Sequence, residues 1–126
     1  MKKNNKKGFT IVELVIVIAV IAILAAVLIP TFASVTTKAK KSAALQEATT
    51  AVTAITVYDI DATADKDVGE DYVIKSGDYY FVVEDGKINT EAKEALPTGY
   101  NSTAVDTEAL GIEDLPDVLI YQKTNP

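Results

Sequence analysis

Sixteen consecutive apolar residues, Leu14 to Ile29, stand near the start of a 126-residue chain and constrain everything that follows. A helix that is apolar on every face has no side to offer water. It belongs in lipid or in the buried core of an assembly. From Phe9 to Ile29 such a helix would span about 31 Å at 1.5 Å per residue, close to the hydrocarbon thickness of a bilayer. One acid, Glu13, interrupts the approach to the run. An aspartate at mid-bilayer costs roughly 2.5–3.5 kcal/mol and a glutamate comparably, so a carboxylate here calls for a partner.

The bulk composition narrows the function classes. Beyond Phe32 the chain leaves 94 residues, Ala33 to Pro126, enough for one modest core. It has no cysteine, histidine or arginine. That removes disulfides, thiolate chemistry, the usual general base, the imidazole metal ligand and the bidentate phosphate clamp. The four serines, Ser34, Ser42, Ser76 and Ser102, have only lysine or carboxylate as activators, and no spacing among them marks a catalytic dyad. We therefore expect no enzyme and no cofactor. Lys2, Lys3, Lys6 and Lys7 crowd the first eight residues, so the remainder carries 8 lysines against 18 acids. A surface this acidic repels phosphate backbones and makes nucleic acid an unlikely partner.

The residues allow three readings of the N-terminus. In the first, a basic region, an apolar region and a small-x-small site at Thr31-Phe32-Ala33 form a secretory signal cleaved before Ser34, although Glu13 is out of place in it. In the second, Phe9–Ile29 is a plain single-pass anchor, its leader lysines held inside against the opposing bias of Lys38, Lys40 and Lys41. In the third, Lys7-Gly8-Phe9-Thr10-Ile11-Val12-Glu13-Leu14, followed by the apolar run and Pro30, is a processing and assembly signature.

That last stretch resembles the N-terminus of type IV prepilins and pseudopilins. The resemblance implies cleavage after Gly8 by a membrane-embedded aspartyl peptidase and methylation of the new amine on Phe9. It also implies a membrane precursor in the cytoplasmic membrane that becomes part of an extracellular filament. An assembly ATPase, a platform protein and identical subunits would be its partners. Residues 1–8 would be the leader, 9–32 the apolar half of a long helix, and 33–126 the soluble head with the amphipathic half. Gly8 and Phe9 carry processing, and Thr10, Glu13 and Pro30 carry assembly. Glu13 would pair with the amine of a neighbouring subunit, about 6 Å along a continuous helix from its own Phe9. Two opposite charges in a low dielectric are each costly alone and attract strongly together, so the pairing would reward one register. A major pilin is the first reading. The alternatives are a pseudopilin of a type II secretion or competence system and an anchored extracellular binding module.

Pro30 lacks an N–H and frees the carbonyl of Ala26, which predicts a kink, with Thr31 placed to answer that carbonyl. Helix-compatible sequence continues to about Val57, with Leu45, Ala48, Val52 and Ile55 as an apolar stripe for a sheet. Asp59, Asp61, Asp65 and Asp67 crowd into a short acidic stretch. They suggest calcium weakly, since their spacing fails the EF-hand frame, and a solvated loop is the plainer reading. Asp71–Lys75 and Asp78–Glu84, broken by Ser76-Gly77 and closed by Asp85-Gly86, predict a hairpin. We expect a short helical turn capped at Asn89 or Thr90 through Leu96, another over Asp106–Leu110, and a last strand over Val118–Tyr121. The fold class is α+β, pilin-like: a long N-terminal helix on an antiparallel sheet of three to four strands.

Overall fold

The computed structural model describes residues 8–61, 68–112 and 114–125, with side chains described for all of these except 59–61. One helix, α1, runs over Ile11–Asp61 with Pro30 inside it. A four-stranded antiparallel sheet follows, with β1 at Tyr72–Ser76, β2 at Tyr79–Glu84, β3 at Lys87–Ile88 and β4 at Leu119–Gln122, in the order β3-β2-β1-β4. The fold is α+β and pilin-like. Two compact units divide between Lys38 and Ala39.

In the first unit every residue from Gly8 to Lys38 is exposed except half-buried Ala25. The structure here is helix alone, and its threonines fit because their hydroxyls turn inward. Thr31, Thr36 and Thr37 donate to the carbonyls of Val27, Phe32 and Ala33 at 3.0, 2.9 and 3.1 Å. A hydroxyl satisfied four residues back presents a methyl group to an apolar surrounding. Thr31 therefore serves Val27, not the Ala26 carbonyl freed by Pro30, because the i−4 geometry fixes its acceptor.

The second unit has a core. Ala44, Ala48, Ala51, Val52 and Ile55 of α1 pack with Tyr72, Ile74, Tyr79, Phe81, Val83 and Ile120 of the sheet. The expected stripe is largely there, but its centre is alanine: Ala48 and Ala51 are fully covered, while Leu45 is only half-buried. The covered face of α1 therefore includes positions where hydropathy is weakest. Strand alternation splits β1 and β2 between two faces. Val73, Val82 and Tyr121 point to the opposite side, where Tyr80, Leu96, Tyr100 and Ala104 cover them. Both faces are thus buried, which is why Tyr79 to Val83 reads as a continuous apolar run. Ser76, fully buried on the helix-facing side, donates its hydroxyl to Glu47 of α1.

The turns set the register. Gly77 leads the two-residue loop Gly77-Asp78 with φ 56°, and Ser76 pairs with Tyr79 across it. Asp85 and Gly86 both have positive φ, 51° and 69°, as a type I′ turn requires, and the chain returns along β2 as β3. This overturns the helical turn expected from Asn89 to Leu96. Backbone bonds continue past β3, with Asn89 N–H donating to Val82 O at 2.8 Å and Lys93 exchanging bonds of 2.8 and 2.9 Å with Tyr80. Asn89 has the chemistry of a helix cap but spends it on an Asx turn, its Oδ1 accepting from Glu91 N–H at 3.0 Å. The second expected helix is present as α2, Thr107–Leu110, with Asp106 as N-cap and Gly111 closing it at φ 67°.

Candidate functional site

The first described residues, Gly8, Phe9 and Thr10, lie outside any helix, and Phe9 is 94% exposed. Helix α1 begins at Ile11, and its first backbone bond runs from Leu14 N–H to Thr10 O at 3.2 Å. Thr10 and Glu13 close this end reciprocally. Glu13 N–H donates to Thr10 Oγ1 at 3.2 Å, and Thr10 N–H donates to Glu13 Oε2 at 3.1 Å. This is a capping box, satisfying two backbone donors that a helix start leaves orphaned. The acid in the first turn also meets the positive end of the helix dipole.

Glu13 thus has a partner within its own chain, one the sequence signals openly in Thr10-Ile11-Val12-Glu13, a threonine three residues ahead of a glutamate. Sequence reasoning fixed on its charge and overlooked its spacing. The bond engages one carboxylate oxygen, and an ionised carboxylate offers about four lone-pair sites, so capping does not exhaust it. A helical rise cannot be applied between Phe9 and Glu13, because Phe9 and Thr10 precede the helix. The 6 Å separation expected from a continuous helix therefore does not describe this chain end.

Behind the cap, Ile11, Val12 and the run from Leu14 to Ile29 are exposed on every side. By length and composition the helix is long and apolar enough to cross a membrane. Pro30 lies one residue past this run, within continuous helix.

The other candidates separate from this site. Asp65 and Asp67, and the side chains of Asp59 and Asp61, lie outside the described residues. Among the described residues no three acidic, histidine or cysteine side chains gather as a metal would require. Lys41 sits over the Tyr79 ring at 5.5 Å and Lys75 over Tyr80 at 5.4 Å, so two head lysines lean on aromatic faces. Asp71 pairs with Lys123 at 2.7 Å and accepts from Asp85 N–H at 3.3 Å. The Lys123 hydrogen bond holds the Asp71 carboxyl below its usual range, and Asp71 in turn raises Lys123. Burial, with Glu84 nearby, raises the phenol of Tyr100.

Residues 3–29 match the family described as the prokaryotic N-terminal methylation motif. The chain carries the signature of type IV pilin and pseudopilin precursors. Among curated proteins none matches the chain, and no solved structure does. The match runs from Lys3 to Ile29, so it takes in the cap and the apolar run but nothing beyond Ile29. Proteins of pilin type are structural rather than catalytic, and the motif implies processing by a prepilin peptidase. An exposed apolar helix behind it agrees with the membrane-anchored precursor typical of prepilins.

Proposed function

We propose that this chain is the precursor of a major-type pilin, cut after Gly8, N-methylated at Phe9 and polymerised through its apolar helix into a type IV pilus that serves adhesion or motility. The observation that carries this reading is the apolar surface of α1, uncovered all round from Ile11 to Ile29 in a chain that also bears the methylation motif. Such surface is stable in lipid before assembly and against other copies of itself afterwards. Each square ångström removed from water is worth roughly 25 cal/mol, so packed helices form a strong fibre core. The leader would be residues 1–8, the core helix 9–32 and the displayed head 33–126.

Charge pairing sets the register. Cleavage creates an amine at Phe9, still cationic after methylation, and Glu13 of an adjoining subunit is the anion for it. Either charge alone in the fibre core is costly, and together they attract in a low dielectric. An assembly ATPase and a platform protein would supply work that nothing in this chain supplies. The acidic balance outside the leader supports a pilus over a DNA-uptake pseudopilus.

N-terminal sequencing with intact mass, on protein sheared from the surface of producing cells, tests the reading. Methylated Phe9 in the sheared fibres is the expected result. A chain starting at Ser34 or Met1, or absence from the fibres, overturns it. Filament yield then tests Glu13: Glu13→Ala should abolish assembly and Glu13→Asp retain part of it.

A further inference from the structure

We propose that the Thr10–Glu13 capping box is a helix stop that keeps the processing bond unwound, making Thr10 a positioning residue for cleavage. The proposal rests on the reading that Gly8–Phe9 is the bond cut. Hydrolysis adds water across that peptide, leaving a carboxylate on Gly8 and an amine on Phe9. Attack requires the Gly8 carbonyl to be open to the incoming oxygen and to groups that stabilise the developing oxyanion.

The helix competes for that same carbonyl. Were α1 to wind back by two residues and begin at Phe9, Val12 N–H would bond the Gly8 carbonyl and Glu13 N–H the Phe9 carbonyl, by the i→i−4 rule. The scissile carbonyl would then be the first acceptor of the helix. In the structure Glu13 N–H is taken instead by Thr10 Oγ1, and Glu13 Oε2 holds Thr10 N–H. An N-cap residue has non-helical backbone angles, so a capped Thr10 cannot sit inside a helix. Gly8, a poor helix former, adds to the stop. Phe9 remains outside the helix and almost fully exposed, as a bond presented to a peptidase must be.

The box separates two duties of Glu13. Capping needs an acceptor oxygen, which glutamine also supplies, whereas pairing with an amine needs the charge. Glu13→Gln should therefore keep the helix start at Ile11, read by carbon chemical shifts, and fail to assemble. Thr10→Val, nearly isosteric but without a hydroxyl, should be cut about fivefold more slowly, the equivalent of a cap worth about 1 kcal/mol. Thr10→Ser restores the acceptor and should be cut within about twofold of the unaltered rate.

The test uses the full-length precursor in lipid nanodiscs with its peptidase, following initial cleavage rates by intact mass. Carbon chemical shifts of residues 8–11 report the helix start in the same samples before peptidase is added. The expected result is slow cleavage of Thr10→Val, with helical shifts spreading to Phe9 and Gly8, and recovery of both in Thr10→Ser. Cleavage of Thr10→Val at the unaltered rate overturns the proposal. So does slow cleavage without spreading of the helix, which would mean that the peptidase reads the hydroxyl directly. If the unaltered chain is not cut after Gly8, the processing reading falls and the proposal with it. If Glu13→Gln assembles normally, the charge-pairing reading falls alone.

Discussion

The two units of this chain put the same apolar side chains to opposite uses. Residues 8–38 hold their shape by backbone bonds and a cap, with nearly every side chain facing outward. The described residues from Ala39 onward hold theirs by tertiary packing, with apolar groups shared between two faces of one sheet. An apolar residue in the first region is exposed surface, whereas in the second most of the large apolar side chains are core. The comparison teaches that hydrophobicity alone assigns no role: the same residue type is exposed at Val17 and interior at Val83, and what separates them is whether the chain supplies its own partner.

The sharpest way to break this contrast is to remove a side chain that the head depends on. Phe81 is wholly covered at the centre of the helix-facing core. Phe81→Ala should cost the head about 3–5 kcal/mol, a large fraction of the 5–15 kcal/mol that holds a typical domain. Near-ultraviolet circular dichroism of the full chain in mild detergent, read through the tyrosines during urea unfolding, should show the loss. Far-ultraviolet signal from the apolar helix should persist beyond it. Simultaneous loss of both would mean that the units are not independent in stability.

The converse change strikes the other region. Ile21 lies mid-run and exposed. Ile21→Asp should disfavour membrane insertion by about 3–4 kcal/mol on insertion scales, while head unfolding shifts by less than about 0.5 kcal/mol. Carbonate extraction of the precursor from membranes measures the first and urea unfolding the second. Retention of the variant in carbonate-washed membranes would sink the claim that the run spans lipid.

How much of this was legible in the sequence follows the same division. The apolar helix and the methylation signature could be read directly, since a region without tertiary partners is governed by local pattern. So could the hairpin turns and the short helix near Asp106, where glycine or aspartate fixes backbone angles, and the last strand, expected over Val118–Tyr121 and found one residue later at Leu119–Gln122. What escaped was set by partners distant in sequence. Ala48 was in the expected stripe, but Ala44 and Ala51, equally part of the covered face of α1, carry too little hydropathy to mark themselves. The stretch from Asn89 to Leu96 has helix-capping chemistry, yet Tyr80 claims the Lys93 backbone from across the sheet. The capping box is legible in the spacing of Thr10 and Glu13, but the charge of Glu13 beside the apolar run masks it.

A smaller test concerns the turn that sends β3 back along β2. Gly86 holds φ 69°, and a methyl group added there would touch nothing within 4 Å. Gly86→Ala should therefore cost only the left-handed backbone preference, about 1–2 kcal/mol. The urea midpoint of the head should fall with its slope unchanged. A cost near zero would mean that the turn relaxes to another type and that β3 is not held by it.

The smallest effect is expected from the pair that joins the start of β1 to the end of β4, since Asp71 and Lys123 meet at a solvent-exposed site. Its sign is nevertheless definite. Asp71 is depressed chiefly by the Lys123 hydrogen bond, so its contribution is present above the ordinary aspartate range and is lost as pH falls below about 4. Lys123 is raised by Asp71, so its contribution is complete below about pH 10 and is lost as pH rises through the elevated value. Lys123→Gln should leave Asp71 with only the Asp85 N–H and lessen its depression. Melting temperatures of the two proteins should differ slightly at pH 7 and converge toward pH 3, and added salt should narrow the gap at neutral pH. A gap that stays constant from pH 3 to 7 would assign the effect to packing of the lysine stem rather than to its charge. The head would then be held by apolar contact even at its rim.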